Sequence, residues 1–318
     1  MMPRCRLRLA HAACCALLLL ASCHTFVRQP FADSAGISVV RVYDMGASRW
    51  VTFETMAHAI AKADIVFFGE QHDDPVTHSV ELAVLAALGE RRGRVMLSLE
   101  MFERDVQPVL DRYLSGALSE RDFLAGARPW DRYVTDYRPL VELARVRGWP
   151  VVAANVPRRV ASAVSRRGLA LLDTLNAAER AFAAREHSCP HDRYYEKFVG
   201  TMGTHNAGSG PPTAADAASA LVITERFYEA QCVKDEAMGE AVAAAFMRGG
   251  RRTPVLHVDG AFHSDYKLGT AERVRRRVPS AKIVVLSAVP VASLAAANAP
   301  ASRDRGDYIV FTLAAVKP

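Results

Sequence analysis

The chain has 318 residues and a formal charge of +6, but three arginines and no acid lie before position 23, so the 296 residues that follow carry only +3. No Lys/Arg block survives in that remainder, which excludes a nucleic-acid-binding arm. Its length suits one large α/β domain, or such a domain with a sizeable insertion.

Arg4, Arg6 and Arg8 form a basic n-region ahead of the apolar run Leu9 to Leu20. A run of about a dozen residues is too short to span a bilayer and reads as a signal peptide over residues 1–22. It ends in Leu20-Ala21-Ser22-Cys23, which resembles a bacterial lipoprotein cleavage site. By that resemblance Cys23 becomes the lipidated N-terminus, with acyl chains such as palmitate. The chain is then expected on the bacterial cell envelope, anchored to a membrane and not spanning it. His24, rather than an Asp, follows the cysteine and points to the periplasmic face of the outer membrane. Two further cysteines, Cys189 and Cys232, lie in the remainder without C-x-x-C spacing, which argues against a Cys/His zinc cluster. In an oxidising compartment they form a disulfide or stay as two thiols; both readings remain open.

Residues 23–45 read as a tether ending in an edge segment, Ile37 to Val42. Asp64 to Phe68 is a short apolar strand, followed by helical spacing from Thr77 to Leu88. A second strand, Arg94 to Leu99, precedes two short helices, Gln107 to Leu114 and Ser119 to Ala127, the latter with Ser119 as N-cap. Pro139 to Arg147 is a helix closed by Gly148, Val151 to Ala154 a third strand, and a helix then runs to Arg167. This alternation predicts a mainly parallel central sheet with flanking helices. The rhythm breaks at 169–250. There a helix over 169–185, a His/Tyr/Gly/Pro-rich stretch over 187–212 and a long helical stretch over 213–247, either continuous or broken once, read as an inserted helical cap. Strands resume at Val255–Asp259, Lys282–Ser287 and Tyr308–Thr312, with an Ala-rich loop over 290–306. The expected α/β domain is thus 46–168 plus 251–318.

Two strands end in the same pattern, Gly69-Glu70-Gln71-His72 and Gly260-Ala261-Phe262-His263. Ligands of open α/β sheets bind beyond the carboxyl ends of the strands, so two such turns are expected to converge on one pocket. Glu70 and His72 point to one side of an extended chain. Glu100 ends the second strand, with Ser98 on the same face, and Asn155, Arg158 and Arg159 follow the third. His257 sits inside its strand and reads as a core histidine, whereas Asp259 and His263 flank the Gly260 turn. Two histidines with one or two carboxylates suit zinc or non-haem iron, so Glu70, His72 and His263 are candidate ligands of a divalent metal. Glu70, His72, Glu100 and His263 are the candidate catalytic set if the chain is an enzyme, a carboxylate acting as base on metal-bound water. The competing readings are a helix-capping Glu70, a hydrogen-bonded structural His72 and solvated Glu100 and arginines.

Six segments taken together resemble a known family. They are Phe67 to Asp73, Ser98 to Arg104, Trp130 with Tyr137-Arg138-Pro139-Leu140, Ala153 to Arg158, Ala230 to Met238 and His257 to His263. In this order they resemble ChaN-like haem-binding lipoproteins, within the superfamily of Tiki-type proteases and erythromycin esterases. The resemblance covers about residues 60–280. It implies non-covalent haem held at a homodimer interface, with a Tyr on the iron and a His near the propionates, in haem and iron acquisition alongside an outer-membrane haem receptor. Tyr137, Tyr194 and Tyr195 are the candidate ligands, with His205 and Arg158 as further haem contacts. A c-type attachment is excluded because no C-x-x-C-H occurs. The alternative is a metal-dependent hydrolase built on the paired Gly-x-x-His motifs.

Overall fold

The computed structural model describes residues 40–205 and 214–314, without the side chains of 203–218. The signal peptide, Cys23 and most of the 23–45 tether lie outside the described residues, as does the side chain of His205.

Eight strands form one sheet in the order β2-β1-β8-β7-β3-β6-β4-β5. Their ranges are β1 Val40–Asp44, β2 Arg49–Val51, β3 Ile65–Glu70, β4 Met96–Glu103, β5 Val151–Asn155, β6 Val255–Gly260, β7 Ile283–Val291 and β8 Tyr308–Leu313. The pairs from β8 to β5 are all parallel, while β1 pairs antiparallel with both β2 and β8. β3 and β6 are buried at every position, as strands covered on both faces must be. The expected edge segment is therefore one strand in from the edge, which belongs to β2.

Ten helices flank the sheet among the described residues. They are α1 Phe53–Ile60, α2 Pro75–Arg92, α3 Gln107–Leu114, α4 Glu120–Ala127, α5 Arg138–Arg147, α6 Arg158–Arg167, α7 Ala177–Arg180, α8 Arg193–His205, α9 Ala214–Arg248 and α10 Gly269–Arg277. α2 starts where the Asp74 carboxylate accepts from the Val76 and Thr77 amides and Pro75 fills the first helical turn. Val80, Val84, Leu85 and Leu88 of α2 and Leu140, Val141 and Ala144 of α5 cover one face of the sheet, with Val66, Phe68, Leu97 and Leu99 beneath. Val242, Ala245 and Phe246 of α9 and Val274 of α10 cover the other, against Ile65, Phe67 and Val285.

The stretch 169–250 divides differently from the sequence reading. Residues 169–185 are not one helix: a 3-10 segment over Leu169–Thr174 gives way at Leu175, and Asn176 caps the four-residue α7. The His/Tyr-rich stretch contains α8, and α9 runs 35 residues without a break. The second half of α9 is a sheet-covering helix, since Met238 to Phe246 belong to the sheet core. Cys189 and Cys232 are joined as a disulfide, tying the segment before α8 to the middle of α9.

Candidate functional site

Parallel pairing fixes which side of the sheet each strand end serves. Gly69 is level with Asp259 and Ser287, and Glu70 with Gly260. Side chains alternate along a strand. Glu70 therefore turns toward α2, while Glu100 and Asp259 turn toward α9 and α10. The two Gly-x-x-His turns carry His72 and His263 from these opposite faces to the carboxyl edge, where both line the same two cavities. Both glycines are required by packing. A Cβ on Gly69 would lie 2.9 Å from Ala261 Cα, and one on Gly260 would lie 2.7 Å from His72 Nε2.

On the α2 side Glu70 is the hub. Its Oε1 is 2.5 Å from His72 Nδ1 and accepts from the Tyr137 hydroxyl at 2.6 Å. Its Oε2 lies 3.5 Å from His78 Nδ1, which is 3.2 Å from Glu81. Burial pushes the Glu70 pKa up, but hydrogen bonds with His72 and His78 outweigh it and hold the carboxyl down to about 2. Burial lowers the His72 pKa, and Glu70 and Glu100 reverse this to leave it raised. Tyr137 is pushed up by burial and by the Glu70 charge, so it stays a neutral donor. With Nδ1 committed to Glu70, His72 presents Nε2 to the cleft, and its side chain is 46% exposed. Trp130 packs edge-on against its ring at 5.0 Å.

On the α9 side His263 is held at both nitrogens. Nδ1 is 2.7 Å from Asp235 and Nε2 3.4 Å from Glu100, so burial, which lowers its pKa, is overcome and the pKa is raised to about 10. Asp235 also accepts from the Thr270 hydroxyl at 2.9 Å, and Glu100 from the Gly260 amide at 2.8 Å. The Gln231 amide lies 3.2 Å from His263 Nδ1 and donates to the Tyr194 hydroxyl at 3.2 Å. His257 is a core residue: it bonds Ser98 at 2.9 Å, and burial holds its pKa down to about 3.

Two cavities open from this histidine pair. The first, of about 870 Å³, has Phe262, Leu268 and Tyr194 on its walls and Arg193, Lys197 and Arg305 among its polar groups. Tyr266 is half-buried in the same cavity, in the left-handed region at φ 62°. Lys197 Nζ lies 3.6 Å and Arg193 Cζ 5.4 Å from its ring centroid. The second, of about 630 Å³, runs past Trp130, Phe198, Met202 and Phe227, with Arg158 and Lys234 as its cations.

Glu70, His72, Glu100 and His263 thus come together. Arg158 is exposed at the second cavity, and Tyr194 is a buried wall of the first. Tyr137 is buried against Glu70, and Tyr195 stacks on His191 at 4.0 Å, outside both cavities. The sequence reading did not single out Gln231 and Asp235 as site residues, although their i, i+4 spacing on a helix was a usable signal. Tyr266 and the His78/Glu81 pair were missed outright.

A mainly parallel α/β sheet whose central strand ends present paired histidines and carboxylates to an open cleft has the arrangement in which open α/β proteins bind ligands. A family model described as "Haem-binding uptake, Tiki superfamily, ChaN" matches residues 56–274, and the chain belongs to that family. Its structure resembles that of ChaN of Campylobacter jejuni, described with cofacial haem binding, at a TM-score of 0.60 and 16% identity over 86% of this chain and 96% of that one. An erythromycin esterase mutant, EreC in its open conformation, aligns at a TM-score of 0.44 and 10% identity, over 74% of this chain and 72% of that one. Among curated proteins, the chloroplastic Protein RETICULATA-RELATED 5 of Arabidopsis thaliana is 23% identical over 244 residues. The match takes in 71% of this chain but spans only 31% of that protein's length.

Proposed function

We propose that this chain binds haem non-covalently in the cleft beyond β3 and β6, as a lipid-anchored protein of haem and iron acquisition held to the outer membrane through Cys23. Haem is a broad apolar ring with two carboxylates. The observation that carries the reading is the 870 Å³ cavity, which sets Phe262 and Leu268 beside Arg193, Lys197 and Arg305. Arg193 and Lys197 have no carboxylate within ion-pair distance among the described residues, which leaves them available to propionates. Family membership supports the same assignment.

Tyr266 is the iron contact in this reading. A tyrosinate suits ferric haem, and two cations border the Tyr266 ring. Tyr137 is committed to Glu70, and Tyr195 lies outside the cavities. Leu221, Ile223 and Phe227 are 66%, 51% and 44% exposed on α9, and Phe227 reaches the second cavity. A second copy of the chain covering this apolar face fits a haem-linked homodimer. Hemin titration of protein lacking residues 1–23 tests the proposal. A Soret shift is expected, abolished or displaced in Tyr266→Phe and unaltered in Tyr195→Phe; no shift in the parent protein would reject haem.

A second reading, a metal-dependent hydrolase, is favoured by one observation: His72 has Nδ1 fixed by a carboxylate and Nε2 turned to the cleft, as metal-ligating and general-base histidines do. An ion shared with His263 would have to displace Glu100 or Asp235 from that ring. Elemental analysis of the parent, His72→Ala and His263→Ala proteins tests it; equal metal content in all three would sink it.

A further inference from the structure

Behind the histidine pair, on the α2 face, lies a cluster that the haem reading does not use. His78 and Glu81 are one helical turn apart on α2, which stacks them on one side of the helix. With Glu70 they offer three ligand atoms within 4.8 Å of one another, and all three residues are buried.

The hydrogen bonding of His78 decides what the cluster can hold. Its Nε2 faces two acceptors, the His72 carbonyl oxygen at 3.2 Å and Asp136 Oδ2 at 3.4 Å. Nε2 therefore carries a proton, and Arg132 secures Asp136 from outside at 2.5 Å. Nδ1 then directs its other valence at Glu81 Oε2, 3.2 Å away, and Glu70 Oε2, 3.5 Å away. Both of those are acceptors. Glu70 Oε2 and Glu81 Oε1 have no hydrogen-bond donor and almost no solvent contact. Two carboxylates facing one imidazole nitrogen in a dry interior call for a positive charge between them, and a metal ion on Nδ1 would supply it in place of a second proton on His78. Bonds of ~2.0–2.2 Å to one ion would set neighbouring ligand atoms ~3.0–3.5 Å apart, which matches the two separations from His78 Nδ1 to the carboxylates. A carboxylate on the far nitrogen is the usual outer partner of a metal-bound histidine, and Asp136 occupies that place.

We propose that Glu70, His78 and Glu81 form a site for a first-row divalent cation, of the zinc or manganese class, buried beneath His72. One nitrogen and two carboxylate oxygens favour these ions over magnesium or calcium. Glu70 would bind the ion through Oε2 while Oε1 keeps His72 and Tyr137, so the ion fixes the carboxylate that orients His72. The proposal is independent of the haem reading and distinct from an ion shared by His72 and His263.

The test uses the protein lacking residues 1–23, unfolded in chelator and refolded with ZnCl2 or MnCl2, or with neither. The expected result is one equivalent of metal per chain after desalting and a melting temperature raised by ~5 °C at saturating ion. Glu81→Gln should lose the bound metal, while His72→Ala and His263→Ala should keep it. Should Glu81→Gln fail to fold, Co2+ refolded into the parent decides: visible bands of nitrogen/oxygen coordination, retained in His72→Ala, are expected. Three outcomes would overturn the site: no bound metal with an unchanged melting temperature, metal kept by folded Glu81→Gln, or metal or Co2+ bands lost in His72→Ala or His263→Ala.

Discussion

His72 Nε2 lies against the backbone of Gly260, where even a methyl group would come within 2.7 Å of it. The second Gly-x-x-His turn is thus the seat of the first histidine. Gly260→Ala should displace the His72 ring and weaken hemin affinity, at a stability cost of about 1–3 kcal/mol from overpacking. Gly200→Ala, exposed on α8 where it borders the first cavity with nothing near its missing Cβ, should instead gain up to ~1 kcal/mol. Urea denaturation of the two variants checks the contrast in stability, and hemin titration of Gly260→Ala checks the affinity.

The carboxylates around His263 make a prediction about pH. Its pKa is raised in the folded chain from 6.5 to about 10, with Glu100 and Asp235 overcoming the burial that would lower it. A raised pKa stabilises while the group is protonated in both states. That contribution is therefore complete below pH 6.5, declines above it and is gone above about pH 10. Urea midpoints measured across this range should fall with rising pH, and His263→Gln should flatten the slope. An equal slope in the variant would remove His263 as its cause.

The disulfide between Cys189 and Cys232 closes a loop of 43 residues in sequence separation. Replacing both cysteines by serine should cost about 2–4 kcal/mol, read as a lower denaturation midpoint that no longer responds to reductant. Tyr194 and Phe198 pack in the same cluster as Cys232, so the variant should also blunt the hemin response.

The exposed end of α9 offers a test of self-association. Ile223 and Phe227 lie one turn apart and are 51% and 44% exposed. A charge there should block pairing of copies without disturbing the core. Phe227→Glu is expected to remain monomeric with hemin in sedimentation, while the parent protein shifts toward dimer; stability should stay within about 0.5 kcal/mol.

Much of the frame was legible because parallel strands buried on both faces leave near-continuous apolar runs, as at Ile65 to Phe68 and, interrupted by His257, at Val255 to Val258. Three-residue β2 was too short to show a period, and α1 is capped by Thr52, whose side chain accepts from the Thr55 amide, a cap easily passed over. The paired glycines and histidines were visible as motifs, yet their mutual packing was not, since it depends on the register of β3 against β6. Tyr266 gave no signal at all: a tyrosine at φ 62° is held by its surroundings, including a bond from its amide to the Arg305 carbonyl at 2.6 Å. That partner comes from the 290–306 stretch, read from sequence as a plain loop.

The unbroken run of α9 has a mechanical consequence. At ~1.5 Å per residue, its 35 residues form a rod roughly 50 Å long, with no proline to act as a joint. One end carries exposed Leu221 and Phe227, the middle carries Gln231 and Asp235 beside His263, and the far end is anchored in the sheet by Val242 and Phe246. A load on the Phe227 end is therefore carried past His263 toward the sheet. Whatever settles on Phe227 should be felt as slower amide exchange near Val242.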